Sequence, residues 1–330
     1  MPMKVAVVGA GSWGTTVAHL AAHNAPTALW ARTAELAQAI DAQHRNEPYL
    51  AGFDLHPDLH ATSDMEEAVG AADVLVMGVP THGFRDTLKE VAKYIRPWVP
   101  VVSLAKGFEV DTRLRMSQLC HQELPGHPVA VLTGPNLAKE ILAGFAAAAV
   151  VATEDEFIAS ELRSCFHTDL FRVYTNPDVC GSEVGGALKN VVAIAAGMAD
   201  GLGAGDNTRA AVITRGLAEI SRLGVALGGQ PATFAGLAGM GDLVATCISP
   251  QSRNRYVGEQ IGKGRSIDEV IAEMNQVAEG VKACKVALSL GEDLGVDMPI
   301  AAQVVGVCHE GRTAEEAYRG LLRRTYDHRE

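Results

Sequence analysis

The chain has 330 residues, of which 48% are hydrophobic and 20% are charged. This length and composition allow two domains with buried cores, and they exclude wholesale disorder. The formal net charge of −11 argues against nucleic acid as the main partner, because that role requires an electropositive surface.

The six cysteines are widely scattered and form no C-x-x-C pair, so the sequence indicates neither a disulfide framework nor a zinc site. We expect buried, reduced thiols and no metal. The first residues lack the features of a signal peptide. The largely apolar stretch 190–202 contains the charged Asp200 and is shorter than the ~20 residues that a membrane span needs. We therefore expect a cytoplasmic protein without stable membrane insertion.

In chain order, the first half alternates short apolar runs with segments of helical periodicity, which is typical of a parallel α/β sheet. The runs that predict strands are continuous and rich in apolar residues: Val5–Val8, Ala28–Ala31, Val74–Val79, Val101–Leu104, Val129–Leu132, Ala146–Thr153 and Phe171–Thr175. The first helices are predicted at Thr15–Ala22, Ala34–Arg45 and Phe84–Tyr94.

From about Asp178 onward only helical spacing remains. The predicted helices are Ala187–Met198, Arg209–Leu227, Ile267–Met274, Gly280–Gly291 and Ala314–Arg323. We therefore expect an α/β Rossmann-type N-terminal domain, residues 1–188, that binds a dinucleotide. A second, all-helical domain, residues 189–330, is expected to bind the substrate, with the ligands in a cleft between the two.

The segment Gly9-Ala10-Gly11-Ser12-Trp13-Gly14 fits the pattern G-x-G-x-x-G and lies between a predicted strand and a predicted helix. In this setting Gly9 permits a tight turn, Gly11 admits a pyrophosphate, and Gly14 allows close packing of helix and strand. The start of the helix then offers N–H groups to the phosphates. This context predicts a dinucleotide site.

The second predicted strand ends in Trp30-Ala31-Arg32-Thr33, without the acidic residue that holds the ribose of NAD. Arg32 can instead pair with a 2′-phosphate, which favours NADP over NAD. The alternative is that Arg32 is an ordinary solvated arginine.

Lys189 is the only charged residue in the segment 185–194, at the predicted domain boundary. A nicotinamide enzyme that acts on an alcohol needs a group that moves a proton, and lysine can serve. The alternative is a lysine whose ammonium reaches solvent. Lys106 follows a predicted strand, at the edge of the sheet where ligands bind, although an exposed loop lysine would look the same.

Three further segments carry polar groups suited to a small ligand. Gly134-Pro135-Asn136 follows another strand, and Gly239-Met240-Gly241-Asp242 places a carboxylate between glycines and an apolar run. Ser252-Arg253-Asn254-Arg255 has the composition of a phosphate-binding helix start, and equally that of an ordinary helix cap.

Taken together, these segments closely resemble the bacterial NAD(P)-dependent glycerol-3-phosphate dehydrogenases along essentially the full chain. The matching stretches are GAGSWGT at 9–15, VPTHGF at 79–84, AKGFE at 105–109, GPNLAKE at 134–140, GALKN at 186–190, GMGDLVAT at 239–246 and QSRNR at 251–255.

The resemblance implies reversible hydride transfer between NAD(P)H and dihydroxyacetone phosphate, giving glycerol 3-phosphate for phospholipid synthesis. It implies that Lys189 is the general acid and base. It also implies substrate contacts from Lys106, Gly134, Asn136, Lys189, Asp242, Ser252, Arg253 and Asn254. The implied cofactor contacts are Gly9, Gly11, Ser12, Trp13, Gly14, Arg32, Lys106, Ala138, Arg253, Val277 and Glu279.

Two other functions remain open from the residues alone. One is a different two-domain reductase that acts on a hydroxy acid or keto acid, which would not need the phosphate-binding segment at 252–254. The other is a non-catalytic dinucleotide sensor. A homodimer is a further expectation, because the helical half is rich in small and apolar residues.

Overall fold

The computed structural model describes residues 3–274 and 278–323. The chain divides into two compact units. The first comprises the chain up to Glu109 together with Leu114–Glu183, and the second comprises Val110–Arg113 and the chain from Val184 onward. The division lies in the same helix as the domain boundary at 188–189, which stays a prediction.

The first unit is built on one eight-stranded sheet in the order β3-β2-β1-β4-β5-β6-β7-β8. Its strands are β1 Val5–Val8, β2 Thr27–Trp30, β3 Leu59–Thr62, β4 Val74–Met77, β5 Val101–Ser103, β6 Val129–Thr133, β7 Ala147–Ala152 and β8 Phe171–Asn176. Neighbouring strands are parallel except for β6 and β7, which run antiparallel. The sheet is therefore mixed, whereas the sequence pattern predicts a parallel one.

Both faces of the sheet are covered, as the continuous apolar strands predict. In β1, Val5 and Val7 belong to one hydrophobic core, and Ala6 and Val8 belong to a second core. The helices of this unit are α1 Ser12–Ala22, α2 Ala34–Gln43, α3 Glu47–Leu50, α4 Met65–Val69, α5 Thr81–Val91, α6 Met116–Glu123, α7 Ala138–Leu142 and α8 Glu156–Phe166.

The predicted strands are all present, with ends that differ by a few residues. Strand β3 was not predicted. Its sequence, Leu-His-Ala-Thr, lacks the continuous apolar character of the other strands, and the His60 side chain is exposed. Its pairing with β2, in which Thr27 lies opposite Leu59, defines it as a strand.

A long helix, α9 Val179–Gly201, runs from the first unit into the second. The second unit continues with α10 Gly205–Ala226, α11 Pro231–Ala235, a π-helical turn Leu237–Gly241, α12 Asp242–Ile248, α13 Arg253–Gly262, α14 Ile267–Ala272, α15 Glu279–Leu294, α16 Pro299–His309 and α17 Ala314–Arg323. No strand occurs in the described part of this unit, in agreement with the predicted α/β domain followed by a helical one.

Helix α9 has 23 residues and is apolar enough to cross a membrane by length and composition. However, 89% of its most apolar 18-residue window is buried within the protein. We therefore interpret α9 as a core helix. It is longer than the predicted Ala187–Met198, because its glycine-rich beginning reads as a loop in the sequence.

Candidate functional site

The glycine loop of the first unit connects β1 to α1, as predicted. Gly9 has φ +118°, and a Cβ there would lie 2.7 Å from the Gly78 carbonyl oxygen. A Cβ on Gly14 would lie 2.0 Å from the Gly9 carbonyl oxygen, so only glycine fits at both positions. Gly11 differs, because a Cβ there would meet no atom within 4 Å. The backbone is therefore tightly packed at Gly9 and Gly14, and space remains beside Gly11, where a phosphate is expected.

A neighbouring segment that sequence reasoning missed holds this loop in place. Asn46 is fully buried, and its amide nitrogen donates to the Ala10 carbonyl at 3.0 Å and to the Thr15 hydroxyl at 2.8 Å. The Ser12 hydroxyl donates to the Tyr49 carbonyl at 3.2 Å. Asn46 lies far along the chain from Ala10, so no local pattern signals this role.

The predicted cofactor residues Trp13 and Arg32 have contrasting surroundings. Trp13 is the second residue of α1 and packs beside Phe171, with ring centroids 6.3 Å apart. Its buried indole N–H has no hydrogen-bond partner among the described residues. Arg32 is exposed just beyond β2 and forms no ion pair within residues 3–274 and 278–323. Its accessible guanidinium is compatible with both a 2′-phosphate contact and a solvated side chain.

Three predicted substrate residues of the first unit lie near one another. The Lys106 ammonium, beyond β5, donates to the Gly134 carbonyl at 2.9 Å, beyond β6. Gly134 has φ +129°, and a Cβ there would lie 3.2 Å from the backbone of β7. Both amide atoms of Asn136 are buried and have no hydrogen-bond partner among the described residues. Buried polar atoms are rarely left unpaired, so this amide is suited to a ligand. Ala138 follows as the first residue of α7.

In the second unit, Lys189 from α9 lies against α12 and is not an exposed lysine. Its ammonium contacts an Asp242 carboxylate oxygen at 2.5 Å and donates to the Thr246 hydroxyl at 2.7 Å. Only 6% of Lys189 and 1% of Asp242 is exposed. Two of the three ammonium hydrogens are thus used, and the third has no partner among the described residues.

Thr246 is a site residue that sequence reasoning did not select. Its hydroxyl donates to the Asp242 carbonyl at 2.7 Å and is therefore oriented to accept from Lys189. Thr246 stands four residues after Asp242 on α12, so helical spacing places both on one face. That spacing is the signal in the sequence that could have identified it.

The glycines before Asp242 form the π-helical turn that leads into α12. A Cβ on Gly185 of α9 would lie 2.7 Å from the Ala238 carbonyl oxygen in this turn. The close approach of α9 to the turn brings Lys189 and Asp242 together.

The segment Ser252–Asn254 begins α13 and is largely occupied by contacts within the protein. Ser252 is the helix cap, and its hydroxyl accepts from the Arg255 N–H at 3.2 Å. The Asn254 amide donates to the Asn190 side chain and accepts from the Gly280 N–H, both at 3.0 Å. Ser252 therefore caps the helix, as the alternative of an ordinary helix cap predicts. Its contact with a ligand stays a prediction.

Arg253 is the first residue of α13, and its side chain is exposed. The surrounding protein partly desolvates its guanidinium and lowers its pKa, and the negative charge of Glu279, the first residue of α15, opposes that shift. An accessible guanidinium at a helix start is suited to an anion such as phosphate. Glu279, a predicted cofactor contact, is thus placed near Arg253, whereas Val277 lies outside the described residues.

Known proteins resemble this sequence over nearly its whole length. Residues 4–159 match the family described as NAD-dependent glycerol-3-phosphate dehydrogenase N-terminus, and residues 178–319 match the corresponding C-terminus. A Sphingopyxis alaskensis protein named glycerol-3-phosphate dehydrogenase NAD(P)+ 2 is 59% identical, over 98% of this chain and 97% of its own. A Mycobacterium avium protein named glycerol-3-phosphate dehydrogenase NAD(P)+ is 56% identical, over 97% and 94%.

The crystal structure of glycerol-3-phosphate dehydrogenase from Coxiella burnetii superposes with a TM-score of 0.93 at 33% identity. The superposition covers 98% of this chain and 99% of the Coxiella burnetii chain. The likeness therefore extends over both units of the fold and over both halves of the sequence.

Proposed function

This chain belongs to the NAD-dependent glycerol-3-phosphate dehydrogenase family, and on that premise we propose that it interconverts dihydroxyacetone phosphate and sn-glycerol 3-phosphate with NAD(P)H. In the reducing direction, the C2 carbonyl gains a hydride at carbon and a proton at oxygen. The product would serve phospholipid synthesis. The observation that carries the proposal is the buried Lys189 ammonium, which Asp242 and Thr246 hold with one N–H still to donate.

The residues of the glycine loop fit a dinucleotide. Gly11 leaves room for a phosphate against bare backbone, and α1 begins immediately after it. The bound nicotinamide supplies or accepts the hydride. We propose Gly9, Ser12, Trp13, Gly14 and Arg32 as further contacts, together with Lys106, Ala138, Arg253, Val277 and Glu279. The exposed guanidinium of Arg32 favours NADP over NAD.

Lys189 is the proposed general acid, because its third N–H can be donated to the C2 oxygen as that oxygen gains negative charge. Asp242 and Thr246 orient the ammonium and restrict its rotation. Arg253 supplies the charge for the substrate phosphate. The further proposed substrate contacts are Lys106, Gly134, Asn136, Asp242, Ser252 and Asn254.

The test is steady-state oxidation of NADPH, and then of NADH, with dihydroxyacetone phosphate. We expect turnover by the wild-type protein and a fall in kcat of about 10²–10⁴-fold in Lys189→Ala, since general acid catalysis typically contributes that much. Cofactor binding, measured by fluorescence titration, should change little. The control is Lys93→Ala, which removes an exposed ammonium paired with Glu90. Wild-type kcat in Lys189→Ala would overturn the assignment of the acid.

We also propose that the protein acts in the cytoplasm and forms a homodimer. Its six cysteines, none of which is in a disulfide, suit a reducing compartment. Large apolar side chains are exposed on the second unit, among them Val225, Ile248 and Leu294, and association would cover them. Sedimentation equilibrium at micromolar concentration tests the dimer, and a single monomeric species would contradict it.

A further inference from the structure

The two arginines of the segment QSRNR have different surroundings. The Arg255 guanidinium pairs with Asp200 at 2.8 Å and with Glu259 at 3.2 Å. Its Nε also donates to the Ser249 carbonyl at 3.2 Å. Only 16% of the side chain is exposed. Since three of its nitrogens are engaged by the protein, Arg255 has a structural role.

Asp200, at the end of α9, accepts from two arginines through different oxygens. One oxygen accepts from Arg255 on α13, and the other accepts from Arg209 on α10 at 3.1 Å. The carboxylate is also only 16% exposed. Asp200 therefore ties α13 and α10 to the helix that carries Lys189.

Glycines bring the backbones of α9 and α13 into direct contact beside this ion pair. A Cβ on Gly197 of α9 would lie 2.0 Å from the Arg255 carbonyl oxygen. A Cβ on Gly258 of α13 would lie 2.0 Å from the Ile194 carbonyl oxygen. The hydrogen bond from Asn254 to Asn190 joins the same helices nearer to Lys189.

We propose that Asp200 and Arg255 are positioning residues for the substrate phosphate, an inference that rests on the proposed function. Arg255 holds the Ser249 carbonyl and thereby the loop that leads into Arg253. Asp200 fixes Arg255 to α9, so that the start of α13 keeps a constant place relative to Lys189. Neither residue touches the substrate. Their loss misplaces Arg253, and small misplacements of a binding group are costly.

The experiment compares Arg255→Gln, Asp200→Asn and Arg255→Lys with the wild type. We expect the KM for dihydroxyacetone phosphate to rise at least about tenfold in Arg255→Gln and Asp200→Asn, with kcat within about threefold and the KM for NADPH unchanged. Arg255→Lys should recover part of the loss, because it retains the charge toward Asp200. The apparent Kd of inorganic phosphate, measured by calorimetry, should rise in parallel.

Arg209→Gln is the matched control, because it removes the other arginine from the same carboxylate without affecting the Ser249 contact. Wild-type kinetics are expected for it. A proportional fall in kcat at unchanged KM in Arg255→Gln and Asp200→Asn would indicate only a loss of folded enzyme and would overturn the positioning role. An equal rise in KM in Arg209→Gln would also overturn it.

These outcomes differ from failure of the proposed function, which would appear as absent turnover in the wild type. In that case phosphate binding alone decides the inference. A Kd for inorganic phosphate that is at least about tenfold weaker in Arg255→Gln and unchanged in Arg209→Gln supports positioning. An unchanged Kd in Arg255→Gln contradicts it.

Discussion

Lys189 and Asp242 are buried as a pair, and each depends on the other. Taking an ammonium and a carboxylate out of water has a desolvation cost, which their contact and the Thr246 hydroxyl offset only in part. Removing the Asp242 carboxylate would leave the Lys189 ammonium buried without this counter-charge, at a cost of about 3–5 kcal/mol. Apolar pairs of similar volume are often at least as stable as buried ion pairs, so stability alone does not account for this arrangement, and the proposed proton transfer does.

Arg32 is the residue on which cofactor preference is expected to depend. In Arg32→Ala we expect the KM for NADPH to rise about tenfold or more and the KM for NADH to change little, since only NADPH carries the 2′-phosphate. Steady-state kinetics with each cofactor measure both values. The control is Arg172→Ala, which removes an exposed arginine on β8. Equal effects on the two cofactors would contradict the assignment of Arg32.

At the scale of elements, glycine decides how closely helices approach. Helix α9 carries Gly197 and Gly201, and α13 carries Gly258 and Gly262, each four residues apart and therefore on one face. A Cβ at any of the four would lie within 2.5 Å of backbone in the opposite helix. In the interior of a helix, glycine costs about 1 kcal/mol relative to alanine. Here the close approach of the backbones outweighs that cost.

Gly258→Ala should therefore destabilise the protein, although alanine favours helices. We expect a loss of about 1–3 kcal/mol in the free energy of unfolding, because the methyl group must displace the Ile194 carbonyl. Chemical denaturation measures the change. The control is Gly83→Ala in α5, where a Cβ would meet no atom within 4 Å. It should be neutral or stabilising by up to about 1 kcal/mol, and a stabilised Gly258→Ala would refute the argument.

At the scale of the whole molecule, two titratable groups, the half-buried His19 of the first unit and the buried Glu219 of the second, contribute to stability with opposite dependence on pH. In the first unit, His19 lies beside His23 and His56, with ring centroids 5.0 and 6.4 Å away. Burial, and then the charges of these two histidines, lowers the pKa of His19 to about 4. In the second unit, Glu219 accepts from the Ile300 and Ala301 N–H groups at the start of α16. Burial nevertheless raises its pKa to about 7.

The sign of each contribution follows from these shifts. The folded protein disfavours charged His19, so its contribution to stability is present above pH 6.5 and is lost as the pH falls toward about 4. The folded protein disfavours charged Glu219, so its contribution is present below pH 4.5 and is lost as the pH rises through about 7.

We therefore expect the free energy of unfolding of the wild type, relative to Glu219→Gln, to decrease by up to roughly 3 kcal/mol between pH 4.5 and pH 7. The free energy of unfolding of the wild type relative to His19→Gln should instead decrease as the pH falls, from pH 6.5 to about pH 4. Urea denaturation across this pH range measures both differences. A difference that stays constant with pH would contradict the corresponding assignment.

Much of the fold was predictable because its signals are local. The strands of the first unit are apolar runs of a few residues, and Gly9, Gly11 and Gly14 stand together between the first strand and helix. The helical half was recognisable by periodicity. Lys189 was also selected locally, as a single charge in an apolar segment. The structure shows that it is buried beside Asp242, and its catalytic role stays a prediction.

Contacts between distant parts of the chain were decided only by the tertiary structure. The sequence does not show that Asn46 holds the glycine loop, that Thr246 orients Lys189, or that Asp200 binds Arg255. It also does not show that β7 runs antiparallel to β6. The physical reason is that periodicity and glycine loops depend on neighbours in sequence. Hydrogen bonds and ion pairs between remote residues exist only after packing has brought those residues together.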